Sequence, residues 1–215
     1  MGETKKNSKA TSILKNNPLT SIVKGNIGII VVLIIMCVAV ALATDKFLTT
    51  NNIISVLRQI SINTYIALGM TLIIILGHID LSVGSIVAMS GTLTVGFIVN
   101  QGLPLGVAIV AGLLVGTAAG FISGFIVANF KVPAFIITMA MMNIASGIAY
   151  VYTGGQSTRI TNKLFIEIGT GYLFNVIPLP VVYMVVLIIL FSFILSKTKF
   201  GTYVYLSLIH ISEPT

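Results

Sequence analysis

The run Gly77-His78-Ile79-Asp80-Leu81-Ser82-Val83-Gly84-Ser85 holds the side chains of this sequence best suited to chemistry: an imidazole, a carboxylate and two hydroxyls, set among glycines between two long apolar blocks. An aspartate at membrane depth costs about 2.5 to 3.5 kcal/mol on insertion scales, so it needs protein, water or a ligand around it. Asp80 therefore marks either a broken helix or a functional seam. Its carboxylate could satisfy backbone N–H groups at the start of the next helix, or it could face a translocation path. The sequence leaves both open. His78 and Asp80 are two positions apart, which on a regular helix points them toward different faces, and a metal site built from these two alone is not expected. Nor does the chain hold a phosphate-binding glycine loop followed by lysine, paired carboxylates, a Cys/His cluster at metal spacing or a nucleophile elbow. No catalytic residue, metal or cofactor is expected, and the chain reads as something other than an enzyme.

The elements that must position this run follow from composition. With 56% hydrophobic and 8% charged residues and a mean hydropathy of +1.08, the chain holds more apolar surface than a soluble domain of 215 residues can hide. It is an integral membrane protein. The net charge of +7 comes from twelve Lys and Arg against five Asp and Glu. Because the bases sit at the ends of apolar blocks, they report membrane orientation rather than a nucleic-acid partner. Cys37, inside the first apolar block, reads as a small hydrophobe and has no second cysteine to pair with.

Apolar windows of about 20 residues predict an all-α, polytopic transmembrane helix bundle of about six spans. The first runs from about Ile27 to Thr44, an uncleaved anchor preceded by a polar N-terminal segment, residues 1–24. The second begins near Ile53, carries Arg58 in its first turns where the side chain can snorkel, and ends near Leu76. The others cover about Val83 to Val99, Leu105 to Ala128, Ala134 to Tyr152 and Ile177 to Ser196. If the spans alternate, Lys5, Lys6, Lys9, Lys15, Lys24, Lys131, Lys197 and Lys199 share one side. Lys46, Arg58, Arg159 and Lys163 fall on or near the other, with Asp45 and Glu167. The excess predicts a cytoplasmic N-terminus.

Along the fourth span, Ala108, Gly112, Gly116, Gly120, Gly124 and Ala128 recur at every fourth position, so Gly112, Gly116, Gly120 and Gly124 are predicted to pack closely against another helix. Packing inside one subunit is preferred to a subunit interface. Pro133, Pro178 and Pro180 mark span starts, where a missing backbone donor does little harm. The connection from Tyr152 through Thr153-Gly154-Gly155-Gln156-Ser157-Thr158-Arg159 to about Asn175 reads as a glycine-rich turn, or as a surface for an extracytoplasmic partner.

Leu76 to Ser85, preceded by Ala67-Leu68-Gly69-Met70-Thr71-Leu72, resembles the signature of the inner-membrane permease subunits of ribose-type monosaccharide ATP-binding cassette importers, within the branched-chain amino acid/ribose permease superfamily. Phe47 to Ile53, Val132 to Met139, Val151 to Gly155 and Thr198 to Tyr205 are similar to segments at corresponding places in that family. The resemblance covers residues 25–205, taken as the transmembrane permease domain. It implies a bacterial plasma-membrane permease that pairs with a second copy, receives sugar from an extracytoplasmic sugar-binding protein and is driven by cytoplasmic ATPase subunits. It makes Asp80, Ser82, Gly84, Ser85 and His78 a signature that lines the path or holds its shape. His78 departs from the family, which commonly has glycine there. The family continues past the sixth span with a coupling segment to about ten spans in all, so the chain is expected to be a fragment. Residues 206–215 resemble translated sequencing-adapter read-through and are expected to be non-native. Two other readings are a secondary transporter or channel using His78 and Asp80 as a proton or ion relay, and a membrane scaffold for which the polar break would be an unexplained cost. The sequence does not name the sugar, because permeation needs only weak, transient contacts.

Overall fold

The computed structural model describes residues 25–204; the lysine-bearing segment 1–24 and the tail 206–215 lie outside the described residues. Within them the chain forms α1 (Ile27–Ala43), α2 (Thr50–Ile75), α3 (Val83–Val99), α4 (Leu105–Phe130), α5 (Ala134–Thr153), α6 (Lys163–Thr170) and α7 (Leu179–Lys197). A two-stranded antiparallel hairpin, β1 (Tyr172–Leu173) with β2 (Ile177–Pro178), stands between α6 and α7. Helices α2, α4, α5 and α7 are long and apolar enough to cross a membrane. The apolar helices α1 and α3 have 17 residues each, at the short end of the roughly 17–25 that a span requires. The protein is an all-α, multi-pass bundle of about six spans. The proline positions follow from chemistry, since Pro104, Pro133 and Pro178 stand at the N-caps of α4, α5 and α7 and Pro180 lies in the first turn of α7. A ring without an N–H loses nothing there.

The described residues divide into two compact units, with the boundary between Ser55 and Val56. In the first, no residue of α1 is buried, as befits a helix apolar all round whose solvent is lipid. The turn after it is closed by polar side chains. Thr49 Oγ1 donates to the Lys46 carbonyl (2.8 Å), and Asn52 Nδ2 donates to that of Phe47 (2.7 Å).

In the second unit, α3 packs against both α4 and α5, and α4 packs against α5. Their core is Met89, Ala119, Met141 and Ala145, flanked by Ile86, Leu93, Val115 and Ala149. Eight of the ten buried residues of α3, α4 and α5 are Gly, Ala, Ser or Thr, because lipid tails are as apolar as leucine. Helices associate there through close van der Waals contact rather than hydrophobic burial. Helix α6 and the hairpin pack on α7, and two side chains of α2 tie that group down. The Tyr65 hydroxyl donates to the Pro180 carbonyl (2.5 Å), and Arg58 Nη2 donates to the Thr170 carbonyl (2.6 Å). The Arg58 guanidinium also lies 5.1 Å from the centre of the Tyr172 ring. It meets the last carbonyls of α6, where a cation is favoured by the helix dipole, and an aromatic face that attracts it.

Candidate functional site

The polar break is built from two caps. Helix α2 ends on a Schellman arrangement, in which the Gly77 N–H reaches the Ile74 carbonyl (2.9 Å) and the His78 N–H reaches that of Ile73 (3.0 Å). This needs a left-handed residue, and Gly77 supplies it with φ +75°. Five residues later α3 begins with Ser82 as its N-cap. Asp80 precedes the cap by two positions, so it is not itself the capping residue. One oxygen, Oδ1, accepts both the Ser82 N–H (2.7 Å) and the Ser82 hydroxyl (2.6 Å). The carboxylate closes a tight turn and places negative charge beside the positive end of α3. Ser82 is fully buried, and this pairing is what satisfies its hydroxyl. On the other side Thr138 of α5 donates to the Ile79 carbonyl across a long 3.5 Å.

This break borders a cavity of about 820 Å³ between the end of α2, the last turns of α4 and the start of α5, inside the range of roughly 300–1,000 Å³ typical of small-molecule sites. His78, Asp80, Gly120 and Gly124 meet there, with Ser123, Lys131 and Thr138. Its wall is mostly apolar. No group of three or more His, Cys, Asp or Glu that could hold a metal exists among the described residues.

The remaining signature residues lie elsewhere. Ser85 faces the seam between the parallel helices α3 and α5 and accepts a hydrogen bond from the Ser146 hydroxyl (2.9 Å). A second cleft of about 630 Å³ opens along that seam, lined by Thr92, Ser146, Thr153, Gln156, Ser157 and Thr158 among others. Gly84 lies in the first turn of α3 with open space where a side chain would stand.

The glycine series of α4 divides. A Cβ at Gly112 would overlap Oγ1 of Thr94, and one at Gly116 would stand 3.6 Å from Cβ of Ser90 and 3.7 Å from Cγ2 of Ile86. A Cβ at Gly120 or Gly124 would meet nothing within 4 Å. Among the described residues no group approaches a Cβ at the last two members of the series, which border the cavity. Gly96 is a packing glycine that sequence reading passed over, since a Cβ there would overlap the Tyr152 ring. The signal was available, because Gly84, Ala88, Thr92 and Gly96 recur at every fourth position in α3. Ser123 and Ser146 carried no such signal.

Residues 52–207 match the family described as branched-chain amino acid transport system / permease component. The chain belongs to this family. Relatives include the ribose import permease protein RbsC of Haemophilus influenzae, 41% identical over 179 residues covering 81% of this chain and 55% of the relative. RbsC of Bacillus subtilis is 38% identical over 175 residues, covering 80% and 54%. The L-arabinose ABC transporter permease protein AraH of Azospirillum brasilense is 33% identical over 175 residues, covering 81% and 51%. This permease chain spans about half the length of the curated relatives it matches, whose names describe transport permeases and not enzymes. No solved structure matches it. Both cavities of the permease, and every signature residue from His78 to Gly124, lie inside the matched segment.

Proposed function

We propose that this permease chain forms part of the translocation path of an ATP-binding cassette importer for a monosaccharide of the ribose, xylose or galactose kind. The observation that carries this reading is its 41% identity with a protein named a ribose import permease, over a stretch that includes the polar break and both clefts. Sugar arrives from an extracytoplasmic binding protein, ATP is hydrolysed on separate cytoplasmic subunits, and a second permease copy completes the path. The chain lies in the bacterial inner membrane with its N-terminus in the cytoplasm, an orientation supported by the lysine distribution.

Asp80 holds the break in shape by fixing Ser82, while the groove lined by Thr92, Ser146, Thr153 and Ser157 offers uncharged hydroxyls to a polyhydroxylated cargo. Weak contacts of that type suit a path that must also release what it binds. His78 lines the inner cavity without a ligand role.

Residues 25–204 grafted in place of the matching segment of the Haemophilus influenzae ribose permease, with that importer's own partners, test the reading. Ribose uptake that requires the ATPase subunits and survives a protonophore is expected. Uptake abolished by the protonophore and indifferent to the ATPase would establish the proton-relay alternative, and no uptake at normal membrane abundance would overturn the sugar-path reading.

A further inference from the structure

We propose that α6 and the β1–β2 hairpin form an interfacial anchor, a surface that lies in the lipid headgroup layer with its apolar side sunk into the edge of the acyl region. Helix α6 opens on Asn162, whose side chain accepts the Phe165 N–H (3.1 Å). Lys163, Glu167 and Thr170 recur on one face at helical spacing, while Leu164 and Ile168 form an exposed apolar face beside half-buried Phe165. The hairpin extends that apolar surface with Phe174, 86% exposed, and Val176, 69% exposed. Its tip is a strained tight turn, since Phe174 (φ +52°) and Asn175 (φ +56°) both adopt the left-handed conformation and the Val176 N–H closes the turn on the Leu173 carbonyl (3.2 Å). A bulky aromatic residue rarely accepts that conformation, and surrounding structure must hold it there.

Continuity with the span decides what covers this surface. The Gly171 carbonyl accepts the N–H of Leu179, the first residue of α7, at 2.9 Å, so the patch is fixed at the level where that apolar helix enters the bilayer. Arg58 clamps the end of α6 and Tyr172 to the neighbouring span α2. Between residues 163 and 178 only Lys163 and Glu167 carry charge, which leaves little for electrostatic recognition of a soluble partner. A short amphipathic helix with a polar face and an aliphatic one, followed by an exposed phenylalanine, has the design of an element that rests in the interface plane. The inference depends on α7 as a span and not on the cargo.

The chain has no tryptophan, so single replacements report local surroundings directly. Phe174→Trp, Leu164→Trp, Glu167→Trp and, within α7, Phe193→Trp are reconstituted in vesicles of phosphatidylethanolamine and phosphatidylglycerol doped with lipids brominated at known depths. Measurements are taken where Phe193→Trp is quenched by mid-chain bromine, which certifies insertion. Phe174→Trp and Leu164→Trp should emit to the blue of Glu167→Trp, and shallow bromine should quench them at least about twofold more strongly than it quenches Glu167→Trp. Equal acrylamide quenching at Phe174→Trp and Glu167→Trp would overturn the anchor. So would aqueous exposure at positions 164 and 174 that disappears only when a soluble sugar-binding protein is added, which would make the surface a protein dock.

Discussion

Gly112 and Gly120 lie two turns apart on one side of α4 and meet opposite surroundings. At Gly112 a single methyl group would collide with the Thr94 hydroxyl of α3, whereas at Gly120 the same methyl would enter open space beside Asp80 and His78. Spacing of four aligns residues along a helix, but it does not say how far the neighbouring helix runs. Helix α3 lies antiparallel to α4 and starts at Val83, so its first turns cover α4 as far as Gly116, which meets Ile86 and Ser90. Beyond that point the chain leaves α3 through the Asp80 turn. The same break that ends the contact makes the cavity.

The largest effect is expected from Gly112→Leu. Overpacking a close contact typically costs about 1 to 3 kcal/mol, and here both the Thr94 side chain and the Ser90 carbonyl stand in the way. Thermal unfolding in detergent should show a clear loss, and an unchanged midpoint would dissolve the distinction between the two halves of the series. Next comes Asp80→Ala, which strips the N–H and hydroxyl of Ser82 of their shared acceptor at about 1 to 3 kcal/mol for a buried unsatisfied group. Asp80→Asn keeps an acceptor oxygen and should retain most of that stability. If uptake by the grafted permease nevertheless fails with Asp80→Asn at normal abundance, the charge itself serves transport.

Gly120→Ala should run the other way. With no packing penalty to offset it, alanine gains roughly 0.5 to 1 kcal/mol over glycine inside a helix, so the unfolding midpoint should rise slightly. A fall would place an unseen neighbour against this part of α4. The smallest effect belongs to Ser146→Ala, which removes the hydroxyl pair with Ser85. Interhelical hydrogen bonds in membranes average about 0.6 kcal/mol. The stability change should sit near the limit of detection, and a larger change in sugar uptake would mark the α3–α5 groove as part of the path.

Much of the architecture was legible in residue order. The six apolar blocks became α1 to α5 and α7 with ends shifted by at most a few residues, because bilayer thickness and the helical rise per residue together fix how long an apolar run must be to span. Proline positions and the break at residues 76–82 were equally readable, since a left-handed glycine and a carboxylate next to a helix start are local requirements. In the connection before α7, read as a glycine-rich turn or a docking surface, neither α6 nor the hairpin was anticipated. Eight residues make too short a periodic signal to stand out, and Phe174 and Asn175 are not the residues a tight hairpin usually selects.

The sequence by itself determined a multi-pass helical membrane protein, a charged break at Asp80 and membership of a permease family, because hydropathy, helix termination and residue order act over short distances along the chain. Tertiary structure alone decided that Arg58 of α2 meets the end of α6 and the Tyr172 ring, with the Thr170 carbonyl 112 residues on from Arg58. It also decided that the glycines of α4 serve a contact at one end and a cavity at the other. Those outcomes depend on which surfaces a neighbouring helix covers before it ends, and that is set by packing between segments distant in sequence, which no local pattern records.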